Sequence, residues 1–126
     1  MSMGKVGEIS AGVIATLGLS VAPNTPIYIG ITNINHMLSS HQKAYVKYGS
    51  YISKIIASPE YVGLNPKDGS IEYVREFQMA GEFVKVAVRV STKGQYFARS
   101  IYVLNKQRVF NFIKKGTLKG LTTATK

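Results

Sequence analysis

The stretch from Glu82 to Tyr102 limits the fold more than any other part of the chain. It reads EFVKVAVRVS, then TKG, then QYFARSIY. Two alternating runs around a short glycine-containing turn are the pattern of an antiparallel hairpin. In the first run Val84, Val86, Val88 and Val90 point one way, and Lys85, Ala87, Arg89 and Ser91 point the other. In the second, Tyr96, Ala98, Ser100 and Tyr102 share one face, and Phe97, Arg99, Ile101 and Val103 share the other. If the valines pack with Ile101 and Val103, Arg89 and Arg99 fall on opposite faces. A bulge at Thr92-Lys93-Gly94 would change that.

The rest of the chain supplies helices before the hairpin and one after it. Ser10 caps a short helix over residues 11–17, ended by Gly18. Pro23 to Pro26 form a loop, and residues 27–31 a short strand. A helix capped by Thr32 or Asn33 runs to Tyr48, with Ile34, Met37, Leu38, His41, Tyr45 and Tyr48 as its apolar stripe. Gly49 interrupts it, and a second helix reaches Ala57, burying Ile52, Ile55 and Ile56. Residues 61–69 (YVGLNPKDG) read as a turn-rich link to a strand over 71–77. Asn105 caps a last helix that buries Val109, Phe112 and Ile113, and Gly116 stands where a C-terminal glycine belongs. Residues 1–4 read as a plain start and the tail from Leu121 as frayed. The length suits one domain over residues 1–126, of the α+β class.

Charge is unevenly placed. Residues 1–82 balance six Lys/Arg against all six acids, whereas residues 83–126 carry ten Lys/Arg and no Asp or Glu. The net charge of +10 therefore belongs to the C-terminal third and predicts attraction of polyanions, nucleic acid above all. An acidic protein partner is the alternative. No apolar run is long enough to span a bilayer, and no signal-peptide pattern opens the chain. With no Cys, there is no disulfide framework or thiolate zinc site, and the expected compartment is the cytoplasm.

His36 and His41 are the only histidines, and histidine titrates near neutral pH. On an unbroken helix their five-residue spacing sets them about 140° apart, a poor metal pair. His41 would then face the core and His36 the solvent. A break near Ser39-Ser40 would let both face the sheet. Arg89 and Arg99 either snorkel from a half-exposed sheet or grip an anion beside Ser91, Ser100 and Tyr102. Glu72 and Glu76 share a strand face, as solvated edge charges or as a carboxylate base. No nucleotide-binding glycine loop, nucleophile elbow or zincin motif occurs, so no cofactor is expected. These side chains suit RNA cleavage without a metal. Attack by the ribose 2′-hydroxyl needs a base, an acid and cations for the phosphate. Tyr96, Phe97 and Tyr102 offer stacking faces, and Lys85, Lys93, Lys114 and Lys115 further phosphate contacts.

The segments IYIGITNINHM, SSH, YGSYISKIIASPEYVGLNPKDGSIEYVREF, VKVAVRVS, FARSIY and FIKKGTLK together resemble a phage-associated nuclease family. That family is grouped with the barnase–EndoU–colicin–RelE fold, and the likeness covers roughly residues 5–119. It implies a helical N-terminal half packed on a four-stranded antiparallel sheet, with a short C-terminal helix. It also implies metal-independent endoribonuclease activity at His36, His41, Arg89, Ser91, Arg99, Ser100 and Tyr102. The sequence departs from the family at Gln42, where proline often follows the second histidine. The expected partners are RNA and, for a toxin, an acidic inhibitor protein.

Overall fold

The computed structural model describes residues 3–121. The tail expected to fray falls, beyond Leu121, outside these residues. Leu121 itself is held, its N–H donating to the Glu60 carbonyl at 3.1 Å. Among the described residues no helix is long and apolar enough to cross a membrane.

One seven-stranded mixed sheet organises the chain, in the order β1-β2-β6-β5-β4-β3-β7. Its strands are β1 (Met3–Ile9), β2 (Thr25–Gly30), β3 (Tyr61–Leu64), β4 (Ile71–Phe77), β5 (Glu82–Val90), β6 (Tyr96–Leu104) and β7 (Leu118–Gly120). The helices are α1 (Ala11–Leu17), α2 (Ile31–Ser40), α3 (Gln42–Tyr48), α4 (Ile52–Ala57) and α5 (Lys106–Lys115). Neighbouring strands run antiparallel except β2 and β6, which are parallel at Ile27–Tyr96 and Tyr28–Phe97.

This corrects the expected four-stranded antiparallel sheet with its helices gathered in the N-terminal half. The central strands β4, β5 and β6 lie where alternation puts them. The additional strands are β1 and β3, which contain Gly4, Gly7 and Gly63, and the three-residue β7, all too short or too interrupted for a periodic signal. Gly7 and Gly63 have a packing role. A Cβ on Gly7 would meet Ile56 Cγ2 at 2.7 Å, so α4 lies directly on β1. A Cβ on Gly63 would meet the Thr117 carbonyl oxygen at 1.9 Å, so β7 can pair with β3 only against a bare backbone.

The sheet is covered on both faces. On one, Ile27, Ile71, Tyr73, Val84, Val86, Val88, Ala98 and Ile101 pack against Val13, Met37, Tyr48, Ile52, Ile55 and Ile56 from the helices α1 to α4. On the other, Val74, Phe83, Leu104 and Leu118 pack under Val109 of α5, with Phe112 and Ile113 at the margin. The caps follow the sequence. Ser10 Oγ accepts from the Val13 N–H at 3.2 Å, Asn105 Oδ1 accepts from the Arg108 N–H at 2.9 Å, and Gly18 and Gly116 have left-handed backbones. In contrast, α2 starts earlier than expected, at Ile31. Asn33 acts within its first turn, its Oδ1 accepting the Gly30 N–H at 2.8 Å. The expected apolar stripe is also modified: Leu38 is exposed and Ala44 is buried in its place.

Candidate active site

Two departures from regular geometry build the site. The first is a bulge in β6. Val88 pairs with Ala98 but Ala87 pairs with Ser100, so Arg99 has no partner on β5. Beyond it Ser100 and Tyr102 share a face with Ala87 and Lys85, while Ile101 joins the valines in the core. The bulge thus resolves the conflict in the alternation, at Arg99 rather than in the Thr92–Gly94 turn. Arg89 and Arg99 line one cavity.

The second is a break between α2 and α3. His41 has φ −139° and ψ 44°, outside helical values, although Gln42 and not a proline follows it. The histidines therefore do not lie on opposite sides of one helix. Their ring centroids are 5.6 Å apart, edge to face, and His41 meets Tyr102 edge to face at 4.5 Å. Where β2 stops, α2 runs on beside the outer edge of β6. Met37 goes into the core while His36 reaches the opposite face.

The cavity has a volume of about 220 Å³. Its floor is a transverse row of Glu72 on β4 and the small residues Ala87 on β5 and Ser100 on β6. Lys85 and Tyr102 bound it toward α5, and Arg89 and Arg99 toward the hairpin turn. The Asn65–Ser70 loop brings Asn65, Asp68 and Ser70 to its rim, and His36 enters from the β6 side. Glu72 is 7% exposed, and its Oε2 accepts from Lys85 Nζ at 3.2 Å and from Asn65 Nδ2 at 3.1 Å. It is not the solvated edge charge that the sequence suggested, because β3 pairs with β4 and β7 pairs in turn with β3. Lys85 also lies 4.9 Å from the Tyr102 ring centroid and 5.5 Å from that of Phe112. Among the described residues neither Arg89 nor Arg99 has a carboxylate in ion-pair contact.

Asp68 lines the same cavity as these arginines. The Ser70 N–H, donated to its Oδ1 at 2.9 Å, holds its carboxyl below the usual range, and Arg89 and Arg99 add to this more weakly. Burial holds the His41 imidazole below its ordinary value, and the adjacent His36 acts in the same direction.

Of the residues expected at the site, His36, Arg89, Arg99, Ser100, Tyr102 and Lys85 line this cavity. His41 stands just behind, against His36 and Tyr102. Ser91 lies apart, in the hairpin turn, where its Oγ accepts the N–H groups of Lys93 and Gln95 at 3.3 Å. Lys93 is exposed in that turn, Tyr96 faces a neighbouring cleft, and Lys114 and Lys115 are exposed in the last turn of α5. Asn65, Asp68 and Ser70 escaped the sequence reading because a turn-rich NPKDGS segment signals only a loop. Among the described residues no group of three or more His, Asp or Glu side chains is placed to hold a metal ion.

A cavity with three cationic side chains and two groups able to move protons, set on a mixed sheet, is the outline of an enzyme that acts on a phosphate ester. Residues 4–111 match the family described as phage-Barnase-EndoU-ColicinE5/D-RelE like nuclease3, and the chain belongs to this nuclease family. No curated protein and no solved structure matches it.

Proposed function

We propose that this chain is an endoribonuclease that cleaves RNA without a metal ion. The ribose 2′-oxygen bonds to the neighbouring phosphorus, the bond from phosphorus to the 5′-oxygen breaks, and a 2′,3′-cyclic phosphate is left. Glu72, an anion braced by Lys85 and Asn65, takes the 2′-hydroxyl proton. His36, in its protonated form, gives a proton to the departing 5′-oxygen. Arg89 and Arg99 meet the charge that grows on the phosphoryl oxygens, and Ser100 and Tyr102 orient them. His41 holds His36 and Tyr102 in place. The observation that carries this reading is the meeting of His36, Glu72 and two unpaired arginines in one cavity.

Lys93, Lys114 and Lys115, outside the cavity, extend the cationic surface along which RNA approaches. The phage in the family's description supports a phage or prophage origin, and the proposed place of action is the cytoplasm of a bacterial host. The test is cleavage of total RNA in EDTA by the wild type and by the His36→Ala and Arg99→Ala variants. The expected result is cutting by the wild type, with ends carrying cyclic phosphate, and a loss of about 100-fold or more in each variant. RNA that the wild type binds but leaves whole would reduce the protein to a nucleic-acid-binding module.

A further inference from the structure

We infer that the cleft on the far side of Arg89 is a nucleobase subsite. A base joined to the phosphate on Arg89 and Arg99 lies in it against Tyr96, with an N–H edge toward Asp68. This rests on the nuclease reading above and adds the part of the substrate that the phosphate cavity leaves unread.

The cleft has a volume of about 790 Å³ and shares Arg89 and Asp68 with the phosphate cavity. The two meet around the end of a strand. Ile71, the first residue of β4, pairs with Val88, so Arg89 and Val90 project beyond β4 without a partner on that side. The Asn65–Ser70 loop fills that place and is closed on itself, the Asn65 N–H donating to the Ser70 carbonyl at 2.9 Å. Asp68 and Arg89 are therefore the wall between the two spaces.

Their chemistries are complementary. The cavity is polar and cationic, whereas the cleft is lined by Leu19, Val21, Ile71, Val88, Val90 and Tyr96. An apolar cleft with one aromatic face, reached past a guanidinium, fits a planar ring tethered to a phosphate. Asp68 supplies the polar contact. The Ser70 N–H fixes its Oδ1, and an aspartate is an acceptor at neutral pH, suited to the N–H groups of a base edge. A carboxylate beside two phosphate-binding arginines weakens phosphate binding by itself. Its place in the wall is accounted for by contact with the base.

The experiment measures binding of two uncleavable 2′-O-methyl dinucleotides, one complete and one lacking a base, by calorimetry. The complete ligand is expected to bind the wild type about tenfold or more tightly than the abasic one, the scale that stacking supplies. Tyr96→Leu, and Ser20→Trp at an exposed position lining the cleft, should each erase that difference and leave abasic binding unchanged. Asp68→Asn, whose amide oxygen can still accept from Ser70, should tighten abasic binding and flatten the preference among the four bases. Equal binding of the two ligands by the wild type would overturn the subsite and leave the nuclease reading standing. Failure of both ligands to bind would overturn both.

Discussion

Glu72 on β4 and Lys85 on β5 meet at 3.2 Å beneath the cavity, with side chains only 9% and 13% exposed. They are diagonal neighbours, since Glu72 lies opposite Ala87 and Lys85 opposite Val74. Removing either partner leaves the other charge largely buried without its counter-ion. Glu72→Ala is expected to cost about 3 kcal/mol of stability, seen as a lower urea midpoint. Glu72→Gln keeps an amide oxygen for Asn65 and Lys85 but has no carboxylate to take a proton. It should retain RNA binding and lose cleavage by about 100-fold or more. Unchanged turnover in the glutamine variant would remove Glu72 from the chemistry.

The hollow exists because the row between Glu72 and Ser100 is filled by a methyl group. Ala87→Val adds two methyl carbons to the floor of a 220 Å³ cavity in a strand, where a β-branched residue is well tolerated. The variant should fold with an unshifted thermal midpoint and bind short RNA at least tenfold more weakly. Unimpaired binding would place the phosphate elsewhere on the surface.

The sequence made the central hairpin, the caps of α1 and α5 and the α+β class legible, because alternation and capping are local. Ser10 with Gly18, and Asn105 with Gly116, mark their helices without reference to the rest of the chain. What surrounds β4 is not local. Glu72 reads as an edge charge as long as the YVG segment is taken for a loop. Once β3 and β7 pair beyond β4, the same carboxylate lies inside the sheet and needs Lys85. Arg99 shows the same limit. FARS alternates without a flaw, and only pairing with β5 shows that one of its residues stands outside the ladder. The break at His41 has neither proline nor glycine to announce it.

His41 should leave a trace in the pH dependence of stability. Burial, and then His36, lower the His41 pKa from 6.5 in the folded protein. The unfolded chain therefore binds this proton more readily, and stability falls as pH drops below 6.5. It is fully retained above that value. His41→Gln removes the titrating group, so the loss of stability over the unit below pH 6.5 should shrink. Urea midpoints of wild type and variant at both ends of that interval measure it, and equal slopes would show that His41 does not contribute.

Gly63 supports the site from a distance. It lies on β3 opposite Glu72 of β4 and Leu118 of β7. A methyl group there would fall 1.9 Å from the Thr117 carbonyl oxygen, which is backbone and cannot swing aside. Gly63→Ala must therefore push β7 off the sheet or bend β3, uncovering Leu118, which is 2% exposed, and loosening the strand that shields Glu72. We expect a loss of about 2–3 kcal/mol, in the range for overpacking a close contact. Amide exchange should accelerate first in residues 118–120. Exchange that stays slow there, with full stability, would show that β7 does not depend on a bare backbone at Gly63.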